Sequence, residues 1–346
     1  MNKEKLKNNR VVRHCYYFVI AILKSRKLKK SAERTLDSFG LLFSSETDKK
    51  TCVKDMVRTY ARHGFGFDEY CYYDFMHKTK RERLAFVADW EHLGYTCAMN
   101  DPRNADLYDN KWKTYLKYRD FYCRKVAYID AENKHEFDAF IEEHQKAIVK
   151  PLDLSCGRGV QIVDRTNASV DELLIACNGR FIVEELIVQA PEMAKFHPSS
   201  VNTVRVPTIK MQDDVLIVHP FMRMGQHGSF VDNAGAGGII CAIDASCGRV
   251  LAAADEHGHQ YTEHPDTKEA IVGFQIPRWD ELVGFVKRAA LVVPENRYTG
   301  WDLALTDEGW ILIEANRRGQ FVWQIPLQSG FRDEINGILK KLGTKY

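Results

Sequence analysis

Near the C-terminus, Asp302 stands in Gly300-Trp301-Asp302, and the chain then reads Trp310-Ile311-Leu312-Ile313-Glu314-Ala315-Asn316. The apolar run ending in Glu-Ala-Asn reads as a buried strand that delivers two oxygen ligands at its end. Side chains alternate across a strand, so Glu314 and Asn316 project to the same face. A turn at Asp307-Glu308-Gly309 would fold the preceding strand back as a hairpin and set Asp302 opposite them. Two carboxylates and an amide oxygen form a hard-cation set, suited to magnesium that shares nucleotide phosphates. The plainer reading is an acidic strand end facing water. It leaves an acid beside a very apolar run, which is costly without a partner.

A second group is KPLDLSCGRGV, residues 150–160. Lys150 closes an apolar strand, and Ser155-Cys156-Gly157-Arg158-Gly159-Val160 forms a short loop. Glycines at 157 and 159 let backbone N–H groups approach phosphate oxygens, while Arg158 and Lys150 add positive charge. The spacing is neither a P-loop nor a dinucleotide fingerprint, and a strand follows in place of a helix. A plain hairpin turn fits the loop in isolation. A third stretch, RFIVEELI at 180–187, is by itself only a strand with an acidic end.

The elements that must position these residues fall into two regimes. From about residue 10 to 100, apolar positions recur every three or four residues, as in Thr51–Tyr60 and Arg81–Trp90, with Gly64 and Gly66 as punctuation. From about residue 125, short β-branched runs take over: KAIVKP, GVQIV, RFIVEELI, NTVRVPTI, DVLIVHPF, GIICAID, RVLAAA and WILIEAN. Helices are expected between them at 131–145, 171–177 and 279–293. The pattern predicts a helical leader followed by an α+β body with mostly antiparallel sheets. Tyr70, Tyr72, Tyr73 and Phe75 read as core aromatics.

Composition bounds the function. Hydrophobic residues make up 45% and charged residues 28% of 346, which excludes a disordered chain. The net charge of +2 does not suit a nucleic-acid binder. Residues 1–30, however, hold ten Lys/Arg against one Glu. The apolar run Cys15–Leu23 is too short to span a bilayer and lacks a cleavage site after it. It reads as a basic amphipathic helix whose face Tyr16, Val19, Ile20 and Leu23 packs on the protein body, with an anionic membrane or a partner as the other option. Nine cysteines without a Cys-x-x-Cys pair fit reduced thiols. The histidines lack zinc-ligand spacing, and neither Ser155 nor Ser200 sits in a nucleophile elbow.

The order of the motifs carries more than any one of them. A lysine after a strand, a glycine loop, a strand ending in Glu, and an Asp followed twelve residues later by Glu-x-Asn resemble the ATP-grasp superfamily. The strings HPSSVNTVRVPT, NAGAGGIICAID, EHPDT and GWDLALTDEGWILIEAN are similar to its sugar-transfer-associated branch. The resemblance covers roughly residues 50–330, including FDEYCYYDFMHKTKRERLAFV. It implies an α+β ATP-grasp fold, two subdomains gripping ATP, with a helical N-terminal region. The implied divisions are a basic leader at 1–30, helices at 31–105, a small nucleotide-binding subdomain at 106–189 and a large subdomain with the metal site at 190–346.

The resemblance also implies roles. Lys111 and Lys150 would contact phosphates, and Ser155, Gly157, Arg158, Gly159 and Val160 would fold over them as a lid. Glu184, Glu185, Leu186 and Ile187 would form the adenine hinge, with Glu192 as the candidate ribose acid. Asp302, Glu314 and Asn316 would hold Mg2+. Arg205 and Arg223 would neutralise the moving phosphoryl group or a substrate carboxylate, with Arg317 and Arg318 as further candidates. Asn233 and Gly237-Gly238 would approach the γ-phosphate and the acceptor. Cys156 within the lid departs from the pattern.

The activity implied is that of a MgATP-dependent ligase. It would activate a carboxylate as an acyl phosphate and join it to an amine, in surface-polysaccharide or related sugar-conjugate biosynthesis. The alternatives are a kinase acting on a hydroxyl or sugar, and a non-catalytic nucleotide-binding subunit. The expected substrates are small-molecule or sugar-conjugate carboxylates and amines, with no nucleic acid. The expected location is the cytoplasm, with peripheral contact at the inner membrane face or a glycosyltransferase complex through the basic N-terminus left open.

Overall fold

The computed structural model describes residues 10–154, 158–167, 169–229, 232 and 237–344. The expectations for Ser155, Cys156, Gly157 and Asn233 lie outside them. Among the described residues, no helix is long and apolar enough to cross a membrane.

The N-terminal third is helical. Helix α1 spans Arg10–Leu23, α2 Ser25–Ser38, α3 Glu46–His63, α4 Phe67–Tyr72, α5 Lys80–Ala85 and α6 Asp89–Met99. The ends of α3 follow from sequence. Ser45 accepts the Asp48 N–H at 3.1 Å, Glu46 and Asp48 meet the positive end of the dipole, and Gly64 closes the helix at φ 73°. Gly64 is also required by space, because a Cβ there would lie 2.4 Å from Trp90 Nε1 and 2.6 Å from the Tyr17 ring.

The packing face of α1 differs from the expected one. Tyr17 stacks edge-on against Tyr60, with centroids 5.0 Å apart, and tilts over Trp90 at 6.0 Å. Tyr16, Val19 and Leu23 are exposed, and of the expected face Ile20 alone is half-buried. Nearly every position from Cys15 to Leu23 is apolar or aromatic, so spacing could not select one face. Tyr70, Tyr73 and Phe75 are buried as expected, while Tyr72 is half-buried. They join a cluster with Met56, Phe65 and Phe86 that packs on Phe221, Ile240 and Ala254 of the large sheet. The helical region is thus seated on a sheet face.

Helices α7 (Ala105–Asp109) and α8 (Lys111–Tyr122) lead into a four-stranded antiparallel sheet, ordered β1-β4-β2-β3. Its strands are β1 Val126–Asp130, β2 Lys146–Pro151, β3 Gln161–Asp164 and β4 Arg180–Glu185. The sequence pattern missed β1. Helices α9 (Lys134–His144) and α10 (Val170–Ala176) cover one face, where Ile129, Phe137, Val149, Leu173, Phe181 and Val183 interlock. Lys150 pairs with Ile182 and Ile148 with Glu184. Strand alternation therefore puts Lys150 and Glu184 together on the uncovered face.

After the short helix α11 (Pro191–Ala194), strands β5 to β12 form one antiparallel sheet ordered β10-β9-β8-β7-β5-β11-β12, with β6 paired to β5. The run DVLIVHPF is broken at His219-Pro220 into β6 (Val215–Ile217) and β7 (Phe221–Met224). His219 takes a left-handed backbone at φ 52°, which turns the chain out of the strand there. β5 is Val204–Lys210, β8 Ile239–Ile243, β9 Val250–Ala254, β10 Gln260–Tyr261, β11 Tyr298–Thr306 and β12 Gly309–Asn316. One face carries Val204, Val206, Met222, Trp301, Leu303 and Leu312, which pack with Leu282, Phe285 and Val286 of α12 (Trp279–Ala290). Each such side chain contributes about 1.5–3 kcal/mol by leaving water. The opposite face carries charge. The chain ends in α13 (Gln324–Leu327) and α14 (Arg332–Lys341).

Candidate active site

A cavity of about 530 Å3 lies where the polar faces of the two sheets meet. It is lined by Lys150 and Glu184 from the small sheet, and by Arg205, Arg223, Asp302, Glu314 and Asn316 from the large one. Lys111, the first residue of α8, and Val160 beyond the glycine loop also reach it. Residues some two hundred positions apart are thus collected in one space.

The hairpin that presents the acids is irregular. Asp302 pairs with Glu314, but the next residue, Leu303, pairs with Leu312, leaving Ile313 as the extra residue of a β-bulge. Leu312 and Glu314 are two apart and would share a face in a regular strand. The bulge breaks that parity. Leu312 joins the core beside Leu303, and Glu314 faces the cavity beside Asp302.

Asp302 is held by cations. Arg205 Nε and Nη2 grip its two carboxylate oxygens, the latter contact at 2.5 Å, and Arg223 Nη2 reaches Oδ1 at 3.0 Å. Asn316 Nδ2 donates to Oδ2 at 3.3 Å. Burial alone would push the Asp302 carboxyl up, but Arg205 and Arg223 outweigh it and hold it below the usual range. Arg223 is fixed in turn by Thr203 Oγ1 at 2.9 Å and lies 3.6 Å from Asp232. In this state Arg205 is a buried ion-pair partner, and the free oxygens of the expected metal set belong to Glu314 and Asn316.

Lys150 and Glu184 form the other charged centre. Lys150 Nζ lies 2.9 Å from Glu184 Oε2, and Arg124 Nη2 meets the same oxygen at 2.6 Å. Burial raises the Glu184 pKa, yet Lys150 and Arg124 together bring it down to about 2. Arg124 also donates to the Leu312 carbonyl at 2.6 Å, tying the small sheet to the strand that carries Glu314. Lys111 Nζ donates to the Leu154 carbonyl. Burial lowers its pKa, against the field of Glu314. The Glu314 carboxylate has no hydrogen bond or ion pair among the described residues.

The donor chemistry fits a hard divalent cation. Glu314 and the Asn316 amide oxygen are available, and Asp302 stands between them and the arginines. Among the described residues, no three His, Cys, Asp or Glu side chains gather as a metal cluster. A cation held here would need oxygens from a ligand as well.

Other expected residues lie apart. Arg158 and Gly159 form a turn, with Gly159 at φ 72°, and do not line the cavity. Glu185 faces away from Glu184, and its Oε2 accepts the Lys125 N–H at 3.2 Å. Leu186 and Ile187 follow β4 as half-buried irregular chain. Glu192 is exposed at the start of α11 and is not brought to the cavity. The Gly237 carbonyl accepts from Gln226. Arg317 and Arg318 do line the cavity, and Arg317 Nε is held by Asp109 at 3.0 Å. Asp89, His92, Asp232 and Gln320 line it too, and Arg124 braces it. None of these five stands in a motif. Arg124 alone had a signal, as a cation just before a strand.

The sequence profile of the sugar-transfer associated ATP-grasp family matches residues 92–340. The chain belongs to this family. The match begins after FDEYCYYDFMHKTKRERLAFV, so the helices up to α5 lie outside this ATP-grasp region. Among solved structures, the ATP-grasp chain is similar to the ligase PsnB complexed with precursor peptide PsnA2 and AMPPNP. Identity is 16% over 71% of this chain and 62% of that one, with a TM-score of 0.44. D-alanyl-alanine synthetase A from Vibrio cholerae gives 12% identity, 68% and 65% coverage, and a TM-score of 0.42. An ADP complex of N5-carboxyaminoimidazole ribonucleotide synthetase gives 12%, 62% and 46%, and 0.41. The chain spans less than two thirds of the length of each. No curated protein matches it.

Proposed function

We propose that this ATP-grasp protein is a MgATP-dependent ligase that activates a carboxylate as an acyl phosphate and joins it to an amine. The observation that carries the reading is one cavity whose lining combines the cations Lys111, Lys150, Arg205 and Arg223 with the oxygens of Asp302, Glu314 and Asn316. Residues 106–189 form the half that holds the nucleotide, and residues 190–346 carry the acids. The adenine edge is assigned to the backbone of Leu186 and Ile187, which follow the cavity-lining Glu184 without lining the cavity themselves, and whose N–H and C=O groups make no hydrogen bond among the described residues. Lys111 and Lys150 bind phosphate oxygens. Glu314 and Asn316, with Asp302, hold magnesium, which when bound neutralises phosphate charge.

In the first step a substrate carboxylate oxygen attacks the γ-phosphorus and ADP departs. Arg223 and Arg205 stabilise the negative charge on the transferring group. In the second step the amine attacks the acyl carbon and inorganic phosphate departs. Room for both substrates is supported by a second cavity of about 610 Å3 that shares Asp89, His92 and Gln320 with the first. Tyr17, Tyr60, Tyr72, Trp90 and Phe321 wall it together with Asp68, Glu69 and Asp89, a surface that suits the apolar faces and the hydroxyls of a sugar ring.

The family's association with sugar transfer supports a sugar-conjugate substrate. The test is a screen of carboxylate and amine pairs with MgATP. The expected result is ADP and free phosphate released only when both substrates are present, with an amide product. A phosphorylated product formed with ADP and no free phosphate would make the protein a kinase.

A further inference from the structure

We propose that the N-terminal helices carry a second ligand site, a pocket between α3 and α5 for a phosphate-class anion. A cavity of about 270 Å3 lies there, lined by Asp55, Arg58, Arg62, His63, Lys80 and Arg83. It shares no lining residue with the nucleotide cavity and lies outside the family match.

The arrangement follows from helix geometry. Asp55, Arg58 and Arg62 recur at three- and four-residue intervals, so they share one face of α3. Lys80 and Arg83, three apart on α5, face back toward them. Four full positive charges therefore meet one carboxylate. Arg83 Nη1 holds Asp55 at 2.6 Å, and its guanidinium lies 5.4 Å from the Tyr70 ring centroid and 5.8 Å from that of Phe75. That anchors one cation as a fixed wall.

The side chains of Arg58, Arg62 and Lys80 make no ion pair or hydrogen bond among the described residues. All three are exposed on the walls of the cavity, and like charges at i, i+4 on a helix repel, so an anion between them would relieve that repulsion. His63 also lines the pocket; burial first, then the neighbouring His14, Arg332, Lys80 and Arg62, lower its pKa below the ordinary value, and a neutral ring can donate one hydrogen bond. Two arginine forks, an ammonium and an imidazole N–H match the several acceptor oxygens of a phosphate dianion better than a single carboxylate. The phosphate belongs to a soluble phosphate ester or to a lipid headgroup, and the two sources are separable.

The experiment is calorimetric titration of the full chain with inorganic phosphate at fixed ionic strength. The double variant Arg58→Gln, Arg62→Gln is compared with a charge-matched control, Lys54→Gln, Lys117→Gln, whose residues are exposed and outside the cavity. Circular dichroism checks that both fold. The expected result is at least a tenfold weaker phosphate affinity in the double variant and unchanged affinity in the control. Equal affinity in all three proteins, or equal loss in both variants, overturns the proposal. Co-sedimentation with phosphatidylglycerol vesicles then assigns the source. Binding kept by the control and lost by the double variant marks a lipid headgroup, and no vesicle binding alongside the phosphate result marks a soluble ester.

Discussion

Arg205 and Asp302 are register partners across β5 and β11, and their side chains close a buried two-point ion pair with Nη2 to Oδ2 at 2.5 Å. Arg223 and Asn316 complete the shell around the same carboxylate. One acid therefore holds two arginines and an amide in place.

Asp302→Asn should be costly to the fold. It leaves Arg205 and Arg223 buried without their shared counter-charge, a loss of about 3–5 kcal/mol for a broken buried pair. Urea unfolding reads it as a lower midpoint with an unchanged slope. A midpoint within error of the parent protein would show that water or Asp232 compensates.

Glu314→Gln should behave in the opposite way. Glu314 has no partner among the described residues, so the variant should fold and bind ATP. Under the proposed function, its charge acts most strongly as the phosphoryl group transfers. Turnover should fall at least about a hundredfold, on the order of 2.7 kcal/mol. Steady-state kinetics beside nucleotide titration separates the two effects, and near-normal turnover would return the acid to a structural role.

The Lys150–Glu184 pair predicts an acid limit to stability. Glu184 titrates at about 2 in the folded protein, against about 4.3 when unfolded. Its contribution is fully present above the unfolded value and is lost as pH falls from about 5 to about 2, on the order of 3 kcal/mol. Lys150→Met removes the larger of the two cationic influences on Glu184, so the acid-unfolding midpoint should move to higher pH. The same variant should weaken MgATP binding by about 1–3 kcal/mol. Thermal melts across pH 2–7 and nucleotide calorimetry measure the two effects independently.

Gly64→Ala should detach α1. The residue is left-handed, and a Cβ would collide with Trp90 and Tyr17. Backbone strain of about 1–2 kcal/mol and overpacking of about 1–3 together predict a loss of about 2–5 kcal/mol. Tryptophan fluorescence should report Trp90 becoming wetter. Unchanged emission and stability would mean that α1 yields without cost.

By itself, the sequence determined the periodicities, and with them most elements. Short strands rich in β-branched residues, the helices near 131–145, 171–177 and 279–293, and the hairpin that sets Asp302 opposite Glu314 are local consequences of side-chain alternation, capping and turn chemistry. The order of the lysines, the glycine loop and the Asp…Glu-x-Asn set pointed to the superfamily, and strings such as HPSSVNTVRVPT and NAGAGGIICAID to the family. The tertiary structure decided what parity and spacing cannot. Ile313 bulges because Leu312 must enter the core while Glu314 must leave it. α1 turns Tyr17 inward because Gly64 leaves room under that ring, although several faces are equally apolar. Asp89 and His92 reach the cavity from segments without a motif, Arg124 braces it through Glu184 and the Leu312 carbonyl, and Arg58 and Lys80 line one pocket although they stand on separate helices. Local pattern records which way one element's side chains point. Which charges become neighbours depends on how elements far apart in sequence share a limited buried volume.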